Sequence, residues 1–409
     1  LAQVFAFIDR QIPSMLVEPI KQDFNLTDSQ IALLGGAAFS IFYAVMALPI
    51  GYAVDRYKRT TVLGTGIFLW SLMTAFAGLA NSFGKLFGAR IGVAVGEAVM
   101  APTSVSLISD SFPENKQGKP MGIITSGVYI GIGITLLGGG FLIDYLTGMG
   151  GINLPLIGYL KPWQATFMIV GMPGLILALA TFFLKEPKRI EEQVNLDIAT
   201  DKKNIFLHLK EHKNTLIPMF GGLIFMALIF YSFSFWAPTM MIRAFDISLS
   251  EVGLILGVIT IISSITGTIL AGMAVDYLRN KNYSDAPVRA AMIAVMLALP
   301  PIVSLSFINN EIGAWTCIAL YLLFISSFAP LGLLAISGVS TGNVKGQTAA
   351  IHAFLMMVFG LSLGPQLTAF FTDFVFVDPN LLINSVSLTG LIVLPISALL
   401  FKLSLSRYK

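Results

Sequence analysis

Charge is scarce in this sequence. Only 11% of its 409 residues are charged, whereas 56% are hydrophobic, and the mean hydropathy is +0.81. This balance lies far outside the range of soluble globular domains. The single cysteine, Cys317, excludes a disulfide framework and a thiolate metal cluster. We therefore predict a membrane protein that crosses the bilayer several times.

Motifs that carry chemistry are also missing. The three histidines and one cysteine show no metal-ligand spacing. The sequence has neither a phosphate-binding glycine-rich loop ending in Lys-Ser/Thr nor a nucleophile with a partner base. These absences argue against an ATP-driven pump and against a membrane hydrolase. We expect no enzyme activity, no metal and no cofactor, so that energy for transport would come from an ion or substrate gradient.

Long apolar runs are what the sequence has instead. A helix needs about 20 residues to cross a hydrocarbon core of roughly 30 Å, and no run alternates with the period of two that barrel strands require. We predict an all-α membrane protein with twelve transmembrane helices. The predicted spans are residues 1–20, 30–54, 60–80, 84–108, 118–145, 163–184, 214–241, 250–275, 287–307, 312–338, 346–372 and 381–404. The chain opens in apolar sequence at Leu1, so we expect a native N-terminal segment before it.

Basic residues are distributed unevenly between the loops. Nineteen of the 25 lysines and arginines lie in the even-numbered connections and the C-terminal tail, and the other side carries only Lys21, Lys85, Lys161 and Arg243. By the positive-inside rule, both termini and the central loop lie in the cytoplasm. The helix ends on the other side of the membrane form the predicted outer end. Short loops favour a prokaryotic inner membrane, and because topology explains the basic loops we expect no nucleic-acid partner.

The sequence contains two related halves. The segment Gly51–Asp55, GYAVD, recurs as Gly272–Asp276, GMAVD. The only long polar segment separates the halves, which predicts domains at 1–184 and 214–409 with a cytoplasmic linker at 185–213. Duplicated six-helix bundles of this kind are related by an axis along the membrane normal and hold a cavity at mid-depth.

The segment GYAVDRYKRT, Gly51–Thr60, resembles the loop signature of the major facilitator superfamily, and GMAVDYLRN is a weaker second copy. The resemblance covers the whole chain and implies two pseudo-symmetric six-helix bundles that work by alternating access. It also implies a cytoplasmic gate, in which Gly51 permits close helix approach, Asp55 caps or pairs with a neighbouring helix end, and the arginines hold the gate shut. The gate residues are Gly51, Asp55, Arg56, Arg59, Asp276 and Arg279. The alternative is that Arg56, Lys58 and Arg59 only determine topology.

Two further segments are more particular. FIDRQIPSMLVEPIKQDFNLTDSQIALL, at 7–34, together with ARIGVAVGEA, at 89–98, is similar to the Spinster family, which includes lysolipid and sphingosine-phosphate transporters in animals and has bacterial members. The organic anion:cation symporters are a competing resemblance, since they often have an Asp-Arg pair in the first helix and an Arg and a Glu on the fourth. The Gly-Glu-Ala at Gly96–Ala98 favours Spinster.

Four charged residues fall inside predicted spans, where an ionisable side chain costs at least about 2.5 kcal/mol on insertion scales. They are Asp9 and Arg10 in the first span and Arg90 and Glu97 in the fourth. Arg90 and Glu97 are seven residues apart, so they share one helix face at a spacing of about 10 Å. We predict that Asp9 and Glu97 couple protons, and that Asp9 engages Arg90 in one conformation. Arg10 and Arg90 are predicted to bind an anionic head group, the alternative being a purely structural ion-pair network.

Six uncharged or weakly basic residues complete the predicted substrate site. Tyr231, Phe235 and Trp236 are expected either to line an apolar pocket or gate or to pack in the ordinary way. Tyr129 and Gln366 are expected to offer hydrogen bonds to a cavity. His352 either titrates near neutral pH or is simply solvated or hydrogen-bonded at its helix end. The six residues are Tyr129, Tyr231, Phe235, Trp236, His352 and Gln366.

These features together predict a secondary active transporter. The preferred hypothesis is proton-coupled movement of an amphiphilic or lipid-like organic anion, of the lysolipid or sphingolipid type, by a monomer in the lipid bilayer. The C-terminal spans contain almost no ionisable residues, which suits an apolar tail. One alternative is a proton-coupled symporter of hexuronate-like anions, and another is a membrane sensor or scaffold that does not transport.

Overall fold

A computed structural model of the chain describes residues 1–113, 116, 118–155, 157–187, 205–340 and 343–407, so that part of the predicted linker, 188–204, lies outside the described residues. Helices dominate the described ranges, as the all-α prediction requires. They are α1 Ala2–Met15, α2 Val17–Phe24, α3 Asp28–Gly35, α4 Ala37–Arg56, α5 Arg59–Ala77, α6 Phe83–Glu97, α7 Met100–Ser111, α8 Gly118–Gly148, α9 Pro162–Phe182, α10 Ile205–Glu211, α11 Lys213–Phe245, α12 Leu249–Asn280, α13 Ala286–Ser304, α14 Glu311–Ile325, α15 Phe328–Val339, α16 Asn343–Leu355, α17 Ser362–Phe370 and α18 Leu382–Leu405. π-Helical turns occupy Met356–Leu361 and Phe371–Phe376, and 3-10 turns occupy Leu305–Phe307 and Pro379–Leu381.

Eleven stretches of the described chain are long and apolar enough to cross a membrane. They overlap predicted spans two to twelve, and several combine two consecutive helices, such as α3 with α4. The stretches are Asp28–Arg56, Arg59–Ala77, Phe83–Ser111, Lys119–Gly148, Pro162–Phe182, Lys213–Phe245, Leu249–Asn280, Ala286–Phe307, Glu311–Val339, Val344–Phe376 and Pro379–Leu405.

The first predicted span is helical but interrupted. α1 has 14 residues. Just beyond it, the N–H of Leu16 donates to the carbonyl oxygen of Pro13 at 3.1 Å, so this bond spans three residues, as in a 3-10 turn, and not the four of an α-helix. α2 then runs to Asn25, where φ is 52° and the chain turns. The structure therefore has two shorter helices in place of one helix over 1–20.

Side chains cap several of the helices. At α3, Gln30 N–H donates to Thr27 Oγ1 at 3.2 Å and Thr27 N–H donates to Gln30 Oε1 at 3.0 Å, a reciprocal capping box. Gly313 N–H donates to Asn310 Oδ1 at 2.7 Å at the start of α14. These bonds satisfy amide groups that the helix itself leaves open.

The described chain divides into two compact units. One consists of Leu1–Ile190 and Phe235–Val258, and the other consists of Glu191–Ser234 and Ile259–Lys409. The last turns of α11 and the first turns of α12 therefore belong to the first unit. The domain boundaries at 184 and 214 stay a prediction about the parts that move.

Small residues bring helices close together in the first unit. A Cβ placed on Gly96 of α6 would lie 2.6 Å from the backbone nitrogen of Trp70 of α5. A Cβ on Gly171 of α9 would lie 2.7 Å from the backbone nitrogen of Ala75. Glycine allows this backbone approach, which fixes α6 and α9 against α5.

A short hairpin joins α8 to α9. Strand β1, Ile152–Leu154, pairs antiparallel with β2, Gly158–Leu160. Leu160 packs with Leu146 and Ala165, so the hairpin covers the adjoining helix ends. The sequence patterns did not predict these strands, because each has only three residues.

Hydroxyl groups satisfy one another inside the second unit. Ser232 Oγ and Thr368 Oγ1 lie 2.6 Å apart, and Thr368 Oγ1 and Thr389 Oγ1 lie 2.8 Å apart. All three residues are fully buried. Ser387 Oγ donates to the carbonyl oxygen of Ile302 at 2.9 Å, which ties α18 to α13. Neutral hydrogen bonds of this kind join helices in an apolar setting at no cost in buried charge.

Candidate functional site

Helices α1 and α6 bring the four predicted charged residues together. Arg10 Nη2 donates to Glu97 Oε2 at 2.6 Å. Arg90 Nη1 donates to the backbone carbonyl oxygen of Asp9 at 3.0 Å. The Asp9 carboxylate lies within electrostatic range of Arg90 and Glu97. Asp9 therefore meets Arg90 in this structure, although the hydrogen bond is to its backbone and not to its carboxylate. We call these four residues the charged cluster.

The charged cluster is buried in the first unit. The exposed fraction is 3% for Asp9, 1% for Arg90 and 0% for Glu97, while the side chain of Arg10 is 11% exposed. Removing an ion from water costs several kcal/mol, and a close opposite charge offsets much of this cost. Arg10 is the most exposed of the four.

Buried atoms of Arg90 and Glu97 have no hydrogen-bond partner among the described residues. They are Nε and Nη2 of Arg90 and Oε1 of Glu97. Buried polar atoms without partners are rare in native proteins, and each asks for an explanation. A network that served only to hold helices together would gain stability by satisfying them.

Aromatic rings surround the two arginines. Arg10 Cζ lies 4.5 Å from the ring centroid of Phe7, 4.4 Å from that of Phe39 and 5.4 Å from that of Tyr43. Arg90 Cζ lies 5.7 Å from the Phe39 ring. Such ring faces attract cations within about 6 Å. Phe39 and Tyr43 were not predicted, but their spacing of four residues on α4 puts both on one helix face and could have indicated them.

The predicted aromatic residues fall in both units. In the first, Tyr129 is buried on α8, and the buried rings of Phe235 and Trp236 meet edge to face at 5.0 Å. In the second, the ring of Tyr231 is half-buried and lies 6.0 Å from that of Phe328. Tyr231 thus belongs to the second unit, whereas Phe235 and Trp236 belong to the first.

His352 and Gln366 are the predicted polar residues of the second unit. His352 is 4% exposed, and its ring lies 5.1 Å from that of Phe220. Its Nε2 and the Oε1 of Gln366 are buried without a partner among the described residues. His352 is thus not a solvated residue at a helix end. Gln366 lies on α17 between the two π-helical turns, which are frequent at functional sites.

Arg59, predicted for the cytoplasmic gate, joins three chain segments of the first unit. Its side chain is 1% exposed and pairs with Asp110 at the end of α7. Its Nε donates to Glu186 Oε1 at 3.1 Å, and its Nη2 donates to the carbonyl oxygen of Pro187 at 2.9 Å. Burial alone would raise the pKa of Glu186, but the hydrogen bonds from the Arg59 backbone and guanidinium outweigh it and hold that pKa below the ordinary value.

The other predicted gate residues are more open. Asp55 and Arg56 are exposed at the end of α4, as are Asp276 and Arg279 near the end of α12. A Cβ built on Gly51 meets nothing within 4 Å among the described residues, so this glycine makes no close helix approach in the present structure. The gate role of these residues stays a prediction.

The chain matches a known family along most of its length. The model of the Major Facilitator Superfamily matches residues 1–365. The chain belongs to this superfamily. The matched region contains the charged cluster and the segment Gly51–Thr60, and the match confirms the resemblance that this segment indicated. This member of the superfamily is accordingly a multi-pass membrane protein.

Known relatives of this superfamily member are transporters. It is 26% identical over 371 residues to an MFS-type efflux pump of Mycolicibacterium smegmatis, covering 90% of this chain and 81% of the relative. It is 26% identical over 389 residues to the hexuronate transporter of Bacillus subtilis, covering 91% and 86%. A bacterial homologue of the human lysosomal transporter Spinster, solved in an inward-facing and unoccupied conformation, matches with a TM-score of 0.84 at 23% identity, covering 100% and 95%. The structural match confirms the major facilitator fold.

This member of the superfamily also has a second charged set that the sequence patterns did not place in a site. Glu18, Lys21, Asp28 and Arg243 lie together at the predicted outer end of the first unit. The lysine and the arginine entered the sequence analysis only as markers of topology. Asp28 and Arg243 are 215 residues apart, so no local spacing could have predicted their contact.

Proposed function

We propose that this protein is a proton-coupled secondary active transporter that moves an amphiphilic or lipid-like organic anion by alternating access. The observation that carries the proposal is the charged cluster, in which two guanidinium and two carboxyl groups share an apolar interior. A purely structural network would have its polar atoms satisfied, whereas Arg90 and Glu97 retain buried atoms without partners in the described chain.

Glu97 and Asp9 are the proposed proton-coupling groups. A proton on Glu97 would remove the charge that holds Arg10 at 2.6 Å, and the freed guanidinium could then bind an anion. Loss of the proton would restore the ion pair and displace the anion. Proton and anion binding therefore favour each other, and by linkage this coupling is reciprocal. Asp9 beside Arg90 offers the same exchange.

The substrate class follows from the surroundings of the arginines. Guanidinium binds phosphate or carboxylate with two parallel hydrogen bonds and stays charged when buried. The rings of Phe7, Phe39 and Tyr43 make the surroundings of Arg10 apolar. In the second unit, α14 and α15 contain one charged residue, Glu311, at the very start of α14. An anionic head suits the arginines and an apolar tail suits helices without charge, and the Spinster resemblance implies a substrate of the same kind.

A hexuronate-like anion is the second candidate. It is favoured by the 26% identity with the hexuronate transporter of Bacillus subtilis along 91% of this chain. A small hydroxylated anion needs polar partners for its hydroxyl groups as well as positive charge. His352 and Gln366 offer buried atoms that lack partners in the described chain.

Transport in proteoliposomes under an imposed pH gradient tests the proposal. The wild type is compared with Asp9→Asn, using a radiolabelled anionic lysophospholipid and a radiolabelled hexuronate as substrates. We expect gradient-driven movement of the lysophospholipid by the wild type and a loss of about 100-fold or more in Asp9→Asn, since a positioned proton-transfer group contributes roughly 10²–10⁴-fold.

Asp378→Asn is the matched control. Asp378 only caps the turn before α18, by accepting the N–H of Asn380 at 2.9 Å, and asparagine can accept the same bond. A transport rate that changes neither with the pH gradient nor in Asp9→Asn would contradict proton coupling through Asp9. Gradient-driven movement of hexuronate without lysophospholipid would establish the second candidate instead.

A further inference from the structure

The predicted outer end of the first unit holds a four-membered ion-pair cluster that the proposed transport site does not use. Arg243 Nη1 and Nη2 donate to the two carboxylate oxygens of Asp28 at 2.7 and 2.9 Å, and its Nε donates to Glu18 Oε1 at 2.7 Å. Lys21 Nζ lies 2.5 Å from Asp28 Oδ1. The Arg243 guanidinium thus binds two carboxylates at once, and its two parallel hydrogen bonds to Asp28 are the bidentate geometry that makes such pairs strong.

The four side chains of this ion-pair cluster are buried to different extents and carry no net charge. The Asp28 side chain is fully buried and that of Arg243 is 7% exposed, whereas those of Glu18 and Lys21 are 30% and 18% exposed. Two positive and two negative groups sum to zero. A buried carboxylate is costly unless it is paired, so both cations of the set stabilise Asp28.

Arg243 comes from the other half of the sequence. It lies in the last turn of α11, the helix that follows the predicted linker, yet that turn belongs to the first unit while the turns up to Ser234 belong to the second. A second tie lies at the start of α12, where Ser250 N–H donates to Asp144 Oδ2 of α8 at 3.1 Å. The ends of α11 and α12 are thus fastened to helices of the N-terminal half.

We propose that Glu18, Lys21, Asp28 and Arg243 form an outer latch, an ion-pair gate that is closed in this structure and releases when the outer end opens. This inference rests on the proposed function, because only alternating access requires the N-terminal and C-terminal halves to separate at this end. Release moves Arg243 away from Glu18 and Asp28.

The latch can open without leaving Asp28 unpaired. Lys21 lies seven residues before Asp28, on the adjoining helix α2, and stays beside it whatever Arg243 does. Glu18 is already partly exposed and gains water. Arg243 lies just beyond the predicted span 214–241, where a long guanidinium side chain is expected to reach water easily. The set therefore favours the closed state and still permits the open one, which is what a gate requires.

Distance measurements between spin labels test the latch without substrate or proton gradient. Labels are attached to cysteines at the exposed positions Gln22 of α2 and Glu251 of α12, in a Cys317→Ser background. We expect one short distance in the wild type. In Arg243→Gln, a longer distance should gain population by roughly tenfold relative to the short one, since an equilibrium shifts by the lost differential stabilisation.

Two further variants make the result specific. Glu18→Gln removes one partner and leaves Asp28 on Arg243, so it should fold readily and shift the distances in the same direction by less. Lys161→Gln removes the ion pair with Asp23 at the same end and should change nothing, because both residues belong to the N-terminal half. Unchanged distances in both latch variants would overturn the proposal, as would an equal shift in Lys161→Gln. A failed transport assay with shifted distances would count against the proposed function alone.

Discussion

Arg10 and Glu97 form a buried ion pair, so removing either side chain alone should lower the stability of the folded protein. Replacing Arg10 by glutamine leaves Glu97, which has 0% exposure, as a buried charge without its cation. Breaking a buried pair in this way typically costs about 3–5 kcal/mol. We expect Arg10→Gln and Glu97→Gln each to lower the melting temperature of the purified protein, and the double variant Arg10→Gln/Glu97→Gln to lower it by less than the sum.

The exposed ion pair of Lys161 and Asp23 is the control for these three variants. The side chain of Lys161, paired with Asp23, is 49% exposed, and pairs of this kind contribute about 0–1 kcal/mol. Lys161→Gln should therefore leave the melting temperature close to that of the wild type. Strictly additive losses at Arg10 and Glu97 would show that the two side chains do not depend on each other, contrary to the observed contact.

The identity of the charged cluster could be predicted from the sequence, but its pairing could not. Ionisable residues inside apolar runs are visible at once, and the seven-residue spacing correctly placed Arg90 and Glu97 on one helix. Adjacent residues on α1 point about 100° apart, so the rotation of α1 decides whether Asp9 or Arg10 meets Glu97. That rotation depends on packing against several apolar helices at once. For the same reason the ion pairs of Arg243 with Glu18 and Asp28 could not be predicted.

Gly96 allows helix α6 to approach α5 closely. A Cβ on Gly96 would lie 2.6 Å from the backbone nitrogen of Trp70 and 2.9 Å from the carbonyl oxygen of Gly66, atoms that cannot move without their helix. We expect Gly96→Ala to force α5 and α6 apart and to destabilise the protein by about 1–3 kcal/mol, as overpacking commonly does. Since Glu97 is the next residue, the pair with Arg10 should loosen as well. Thermal unfolding and the transport assay measure the two effects.

Gly88 is the matched control on the same helix. A Cβ there meets nothing within 4 Å in the described chain. Because alanine is the better helix former by about 1 kcal/mol, Gly88→Ala should leave stability unchanged or raise it slightly. If the two substitutions have equal effects, close approach at Gly96 does not position α6.

Most helices could be predicted from apolar run length, and the exceptions have physical causes. The break after Pro13 and the π-helical turns around α17 arise from local hydrogen bonding, which hydropathy does not report. The hairpin between α8 and α9 is too short for a strand pattern to appear. The role of Arg59 inside the first unit depends on Asp110 and Glu186, which are distant in sequence.

At the scale of the whole molecule, charge is divided between the two units. Both the charged cluster and the outer latch belong to the first unit, while buried hydroxyl groups of the second bond to one another. Under the proposed function, the first unit therefore carries the groups that respond to protons and anions. In the second unit, the described residues His352 and Gln366 offer buried polar atoms.

Ligand-linked stability tests the substrate class on the whole molecule. A ligand that binds only the folded protein stabilises it by about 2.7 kcal/mol at a hundredfold excess over Kd. We expect lysophosphatidylglycerol to raise the melting temperature more than lysophosphatidylcholine of equal chain length, since the tails are the same and only the former carries a net negative charge for Arg10 and Arg90. Arg10→Gln should abolish this difference and Lys161→Gln should keep it. Equal shifts would contradict an anionic head-group site, and stabilisation by glucuronate alone would place the protein with the hexuronate transporters.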